Sequence, residues 1–170
     1  QSLKVQLNGE QLHLSSPNLR LLSMEARQQL RNGTTVTYAF RVNVRDSRDG
    51  DIRNSFSYHC VFSYDLWEEK YKVVRREPGY RSASHLSQAA AEQLCLESLT
   101  VPVSSLPPDM TYWISVDYQM EDRRATDGRT DPRSIPGILV DIFSRRSAEP
   151  ETSDKLEGGP FRVPDLRKTK

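Results

Sequence analysis

Three segments of the chain alternate strictly between apolar or aromatic residues and polar ones. Their apolar sets are Val36, Tyr38, Phe40, Val42 and Val44; Phe56, Tyr58, Cys60, Phe62 and Tyr64; and Tyr112, Ile114, Val116, Tyr118 and Met120. Successive side chains of a strand point to opposite faces of a sheet, so a period of two predicts strands with one buried face and one solvated face. The chain is therefore expected to be mainly β.

The fold class that fits this pattern best is an antiparallel β-sandwich, immunoglobulin-like or C2-like, with two short helices. The alternative is an α+β fold in which helices cover one antiparallel sheet. Asn8-Gly9 predicts a tight first hairpin. Ser23 is placed to cap a first helix that ends at Asn32-Gly33, and Ser84 is expected to begin a second helix with a stripe of apolar residues. That stripe consists of Leu86, Ala90 and Leu94.

The apolar set changes parity between the second long strand and the strand that follows it. The second strand buries even positions up to Tyr64, whereas the next one carries Tyr71 and Val73. Both sets share one face only if the loop between them has an even length, which predicts either Asp65-Leu66 or Asp65-Leu66-Trp67-Glu68. The absence of Asn-Gly favours the four-residue turn. The alternation also predicts one contiguous core, formed by Phe40, Tyr58, Phe62, Tyr71, Ile114, Val116 and Tyr118.

At 170 residues the chain suits one domain. We predict a single β-rich domain over residues 1–146, in which a polar loop over 122–136 precedes an apolar strand over 137–143. From Ser147 onward the proline, glycine, glutamate and lysine content rises and periodicity disappears. Residues 147–170 are therefore expected to be a polar, flexible C-terminal tail.

Composition narrows the possible partners and location. The net charge is only +1, which argues against a generally basic nucleic-acid-binding protein. No apolar run approaches the ~20 residues that span a bilayer, so no transmembrane segment is expected, whereas peripheral membrane association stays open. The sequence begins with Gln1, which fits removal of an export signal, with a shortened chain as the alternative. Cys60 and Cys95 lack metal-type or redox-motif spacing and are expected to be two buried thiols or one bridge.

Several stretches together resemble a family of exported bacterial proteins classed as a domain of unknown function. They are LRNGTTVTYAFRVNVR, YHCVFSYDLWEEKYKVVR, an alanine-rich helix and LTVPVSSLPPDMTYWISVDYQME. The resemblance covers roughly residues 14–121 and implies an extracytoplasmic protein, periplasmic or secreted, sometimes encoded beside a two-component sensor kinase. The first long hairpin departs from the family, which is usually rich in tryptophan there, because its loop reads DSRDGDIRNS.

No catalytic or cofactor motif stands out, and no cofactor is expected. The three histidines, His13, His59 and His85, lie on separate predicted elements without metal-ligand spacing. Two loops carry aspartates, which are weak candidates for Ca²⁺ because that ion takes six to eight oxygen ligands. The weak calcium candidates are Asp46, Asp49, Asp51 and Asp127. Aspartate beside glycine is equally common in ordinary turns.

The candidate binding residues are aromatic and cationic. Trp67 falls at a hairpin tip close to Tyr64, and an exposed tryptophan is typical of an interface anchor, although folding back onto the sheet is the more frequent outcome. Three arginine pairs follow strands, and two that converged would form an anion site; solvation of strand ends is the alternative. These pairs are Arg75-Arg76, Arg123-Arg124 and Arg145-Arg146.

The functional expectation is an exported binding or assembly module that engages a protein partner and is not an enzyme. Two alternatives stay open: a hydrolase with a site at the loop ends, and an accessory domain of a sensor kinase. The oligomeric state is not predicted.

Overall fold

A computed structural model describes residues 2–17, 19–76, 79–121 and 154–167 of the chain. It confirms the predicted fold class: the protein is mainly β, with two antiparallel sheets and three short helices in a β-sandwich-like α+β arrangement. The strands are β1 (Lys4–Asn8), β2 (Gln11–Ser15), β3 (Val36–Arg45), β4 (Ile52–Asp65), β5 (Lys70–Arg75), β6 (Arg81–Leu86), β7 (Thr100–Pro102), β8 (Tyr112–Met120) and β9 (Asp154–Phe161). The helices are α1 (Met24–Arg31), α2 (Gln88–Glu97) and α3 (Val163–Leu166), and a 3₁₀ turn spans Val103–Ser105.

The larger sheet has six strands in the order β6-β5-β4-β3-β8-β9, and the smaller one has three strands in the order β1-β2-β7. All pairings between these strands are antiparallel. None of the helices in the described ranges is long and apolar enough to cross a membrane.

One hydrophobic core joins both sheets and the first two helices. All seven predicted core residues are buried in it. They meet Leu12 and Leu14 from the smaller sheet, Leu30 from α1 and Leu96 from α2. The predicted inner face of the larger sheet is therefore confirmed.

The first helix forms as the sequence predicts. The Ser23 hydroxyl accepts a hydrogen bond from the Ala26 N–H at 3.1 Å, which satisfies one of the unpaired donors at the start of the helix. Ala26 and Leu30 are buried on the inner side. The helix is followed by Gly33, whose φ of 79° lies in the left-handed region that glycine adopts without strain.

The second helix begins three residues later than predicted. Ser84 lies in β6, and Ser87 caps the helix by accepting a hydrogen bond from the Ala90 N–H at 3.3 Å. The strand forms because Arg81–Leu86 pairs with β5. The predicted apolar stripe is also wrong: the buried positions of the helix are Ala91, Glu92, Cys95 and Leu96, one or two residues beyond the predicted Ala90 and Leu94.

Both tight hairpins have an even loop, and each loop lies one residue beyond its predicted place. Asn8 pairs with Gln11, so Gly9 and Glu10 form the first turn. Asp65 pairs with Lys70, so residues 66–69 form the turn between β4 and β5. The even loop brings Tyr64 opposite Tyr71 on the inner face, which confirms the parity argument.

The prediction of a flexible tail is wrong for residues 154–167. Asp154–Phe161 forms β9 along β8, where Leu156 pairs with Val116 and is buried. Gly158 allows this strand to lie against the N-terminal segment, because a Cβ there would come within 2.6 Å of the Leu3 carbonyl oxygen. Residues 154–161 are ordered by backbone pairing with β8 and by burial of Leu156. The low hydrophobicity of this segment does not predict such pairing. The predicted loop over 122–136 and strand over 137–143 lie outside the described residues.

Candidate functional site

The turn between β4 and β5 presents the most exposed aromatic side chain of the described residues. We call residues 66–69, which are Leu66, Trp67, Glu68 and Glu69, the tip surface. Trp67 is 95% exposed and Leu66 is 55% exposed. Trp67 therefore does not fold back onto the sheet, and the exposed arrangement is the one observed.

Asp65 holds the tip surface in place. Its Oδ1 accepts hydrogen bonds from the backbone N–H groups of Trp67, at 2.8 Å, and Glu68, at 3.0 Å. An aspartate that bonds the backbone two and three residues later stabilises a turn locally. The same bonds, that from Glu68 first, hold the pKa of the Asp65 carboxyl below its ordinary value of 3.8.

The tip surface is also tied to the edge strand β6. The His85 Nε2 atom lies 3.1 Å from a carboxylate oxygen of Glu68. Glu69 and His85 both have a positive φ, 53° and 60°, which side-chain-bearing residues adopt uncommonly. Two such residues beside one exposed tryptophan indicate a turn whose backbone conformation is closely specified.

A cleft of about 420 Å³ opens below the tip surface. Its walls include Tyr64 and Tyr71, whose ring centroids are 4.8 Å apart, together with Lys70 and Lys72. The structure thus brings two of the predicted binding residues, Trp67 and Tyr64, to the same end of the β4–β5 hairpin.

Arg75 and Arg76 lie in different environments, and the two arginine pairs with which they could converge lie outside the described residues. Arg75 is only 6% exposed, donates to the Ser98 carbonyl at the end of α2 and lies 5.9 Å from the Tyr58 ring centroid. Arg76 is exposed. Adjacent residues of extended chain point to opposite faces, so Arg76 is the member of this pair that faces solvent. Arg75 instead satisfies a helix C-terminal carbonyl, where a cation is favourable.

The aspartate candidates do not gather around a common point in the described part of the chain. The Asp46 carboxylate accepts two hydrogen bonds from the Arg53 guanidinium, at 3.0 and 2.8 Å, which lower its pKa. Asp49 and Asp51 are exposed. Residues 2–17, 19–76, 79–121 and 154–167 contain no group of three or more His, Cys, Asp or Glu side chains able to hold a metal ion. Asp127, Arg123, Arg124, Arg145 and Arg146 lie outside the described residues.

The two cysteines are neighbours in the core, because α2 packs on the aromatic face of the larger sheet. Both are free and fully buried, and the Cys60 Sγ atom lies 4.0 Å from the Cys95 carbonyl oxygen. Burial is the main cause of a pKa of Cys95 well above its ordinary value of 9.0. The structure holds two buried thiols, one of the two predicted arrangements.

Sequence reasoning missed a set of polar side chains on the outer side of the larger sheet. We call this set the polar face. It consists of Arg41, Asn43 and Arg45 on β3, Ser55 and Ser57 on β4, Trp113, Ser115 and Asp117 on β8, and Lys155 and Glu157 on β9. The register aligns them in rows across the strands: Arg41 pairs with Asp117, which pairs with Lys155, and Asn43 pairs with Ser115, which pairs with Glu157.

Hydrogen bonds link the rows of the polar face. The Ser55 hydroxyl donates to Asn43 Oδ1 at 2.8 Å, and Asn43 Nδ2 donates to Asp117 Oδ2 at 2.9 Å. Burial raises the pKa of Asp117, although Lys155 and the two arginines of β3 act in the opposite direction. A half-buried carboxyl in a polar network marks a surface that differs from ordinary solvated strand residues.

The signal for the polar face is present in the sequence. FRVNVR and ISVDYQ carry arginine, asparagine, serine and aspartate at the positions between the apolar ones. The alternation predicts that all these positions face solvent. Their alignment across β3 and β8 depends on the strand order, which the sequence does not predict.

Comparison of the chain with protein-family models, curated proteins and solved structures returned no match.

Proposed function

We propose that this protein is a binding module that engages a protein partner through the tip surface. One observation carries the proposal: Trp67 is 95% exposed on a turn that Asp65 holds in a single arrangement. A buried tryptophan contributes 150–250 Å² of contact area, and tryptophan is enriched among the residues that dominate binding energy (roughly 2 kcal/mol or more each).

A turn held in advance favours binding, because less conformational entropy is lost when the partner docks. Ordering one flexible interface side chain costs about 0.5–1.5 kcal/mol. The backbone around Trp67 is already ordered by two hydrogen bonds from N–H groups to one carboxylate. The entropy cost of ordering the turn backbone on binding is therefore reduced.

The charges around Trp67 define the surface that it fits. In the sequence, Asp65 precedes and Glu68 and Glu69 follow the two apolar residues of the turn. A complementary partner offers an apolar pocket with a basic rim, and its association rate falls as salt is added. The resemblance to exported bacterial proteins supports an extracytoplasmic partner, of which a sensor kinase is one example.

The test uses a photoreactive amino acid in place of Leu66 to capture the partner from a cell-envelope extract of the source organism. Binding of the purified partner is then measured for Trp67→Ala and for a matched control, Tyr80→Ala, which removes another aromatic side chain that is 70% exposed. We expect Trp67→Ala to weaken binding at least tenfold, which is about 1.4 kcal/mol, and Tyr80→Ala to change it less than twofold.

Two outcomes contradict the proposal. Equal binding by both variants means that the partner contacts another surface. A blue shift of Trp67 fluorescence with zwitterionic or anionic phospholipid vesicles, in the absence of any protein partner, means that the turn inserts into a membrane interface instead.

A further inference from the structure

The polar face contains a small hollow between β3, β8 and β9. It has a volume of about 10 Å³ and is lined by Arg45, Arg48, Trp113, Ile114, Ser115 and Glu157. A space of this size accommodates roughly one oxygen-sized atom. The Arg48 guanidinium lies over the Trp113 ring, 5.7 Å from its centroid, and its side chain is largely exposed at the mouth of the hollow.

Two hydrogen-bond donors at this hollow have no acceptor within the part of the chain that the structure describes. Ser115 is 5% exposed, and its hydroxyl has no hydrogen-bond partner among the described residues. The Nε atom of Arg45 is buried and likewise without a partner in that part of the chain. More than nine in ten buried polar groups are normally satisfied, and leaving one unpaired costs about 1–3 kcal/mol. The two donors therefore require an acceptor between them.

The charge around the hollow favours an anionic acceptor. Three cations, Arg45, Arg48 and Lys155, lie near Glu157, and the second carboxyl group that Lys155 and Arg45 influence is Asp117, so the cations outnumber the acidic groups. The Glu157 carboxylate is already engaged by Lys155 at 2.7 Å and by Arg48 at 3.7 Å, and these contacts hold its pKa below the ordinary value. Its negative charge is thus compensated, and the arginines still carry positive charge toward the mouth.

We propose that this hollow binds an oxyanion, a carboxylate or phosphate group. One oxygen of the ligand enters the hollow and accepts hydrogen bonds from the Arg45 Nε–H and the Ser115 hydroxyl. The remaining oxygens stay at the mouth, where they meet the exposed guanidinium of Arg48 beside Trp113. Charge-assisted hydrogen bonds of guanidinium groups to such oxygens are among the strongest in proteins. This site is independent of the partner proposed for the tip surface.

Trp113 provides a direct probe, since the chain contains only two tryptophans. In a Trp67→Phe background Trp113 is the sole tryptophan, and its fluorescence responds when the guanidinium above it is drawn to an anion. The protein is titrated separately with sodium phosphate and sodium acetate, and sodium chloride holds the ionic strength constant. We expect a saturable change with at least one of the two oxyanions, and their relative affinities distinguish a phosphate ligand from a carboxylate ligand.

Three variants separate the hollow from general charge effects. Arg45→Lys keeps the charge but removes the Nε–H, Ser115→Ala removes the hydroxyl, and Lys72→Gln removes an exposed cation on β5. We expect the first two to weaken oxyanion binding at least fivefold and the third to change it less than twofold. A response that is no greater than that to chloride overturns the proposal and leaves water as the acceptor. Equal weakening by all three variants overturns it in favour of non-specific attraction.

Discussion

The carboxylate of Asp65 accepts a hydrogen bond from the backbone N–H of Trp67 at 2.8 Å, two residues further along the chain. The same oxygen accepts a second bond from the next N–H. A side chain at the end of β4 thus orders the turn that exposes the tryptophan. The order of the tip surface therefore depends on one exposed carboxylate.

Replacing Asp65 with alanine should loosen the tip surface without unfolding the protein. Both N–H groups lose their acceptor, so we expect hydrogen exchange at Trp67 and Glu68 to accelerate at least about fivefold. Asp65→Asn is the matched control, because its side-chain oxygen still accepts. Amide exchange followed by NMR measures the effect, and equal protection in the wild type and the alanine variant would show that the carboxylate does not order the turn.

The same carboxylate predicts an acid-sensitive turn. Its pKa is depressed in the folded protein, so its stabilising contribution is present above the ordinary value of 3.8 and is lost as pH falls through the lower folded value. An NMR titration of the Asp65 carboxyl carbon should give a midpoint below 3.8, and the Trp67 amide signal should shift at the same pH. A midpoint at or above 3.8 contradicts the hydrogen bonding.

Phe62 is fully buried at the centre of the larger sheet, with its ring centroid 5.9 Å from that of Tyr38 in an edge-on contact. Phe62→Ala removes this packing and leaves a cavity, so the free energy of unfolding should fall by about 3–5 kcal/mol. Urea denaturation measures the change. Trp67→Ala serves as the control and should alter the unfolding free energy by less than about 0.5 kcal/mol.

Glu92 is a buried carboxylate that ties α2 to the segment before α1. Its Oε1 accepts from the Leu22 backbone N–H at 3.2 Å and from the Gln88 side chain at 2.9 Å. Glu92→Ala leaves the buried Leu22 N–H without an acceptor and should cost about 1–3 kcal/mol of unfolding free energy. Glu92→Gln retains an acceptor and should cost less. Equal losses for the two variants would show that the hydrogen bond to Leu22 is not the source of the effect.

The buried Cys95 thiol and two buried phenols predict a loss of stability at alkaline pH. Burial raises the pKa values of Cys95, Tyr38 and Tyr58 in the folded protein. Their contribution is fully present below the ordinary values of 9.0 and 10.0 and declines above them, because the unfolded chain releases protons that the folded chain retains. Chemical denaturation across this range measures the decline.

A thiol reagent should label both cysteines slowly at neutral pH, and rapid labelling would contradict their burial.

Much of the architecture could be predicted from local patterns. Alternation identified β3, β4 and β8 and their inner face, and Ser23 with Asn32-Gly33 bounded the first helix, because propensity and capping act within a few residues. The errors lie where a non-local partner decides. Ser84 belongs to a strand because its segment pairs with β5. Residues 154–161 form a strand because they pair with β8.

The candidate sites divide along the same line. The sequence predicts Trp67 at a hairpin tip. Its exposure could not be predicted, because it depends on the hydrogen bonds to Asp65 and on a turn that begins at Leu66 rather than at Asp65. The sequence predicts Arg75 to be a surface cation. In the structure α2 packs near it, and Arg75 is buried against the Ser98 carbonyl. Burial of a charged group depends on what packs over it, and that information is not local.

By itself the sequence determined the mainly β fold class, the buried face of the long strands and the even loop of the β4–β5 hairpin, since a side-chain period of two leaves no other arrangement that buries both aromatic sets. Only the tertiary structure decided the strand order, and with it the polar face. Arg45, Ser115 and Glu157 come from three strands far apart in sequence, and they meet because β8 lies between β3 and β9.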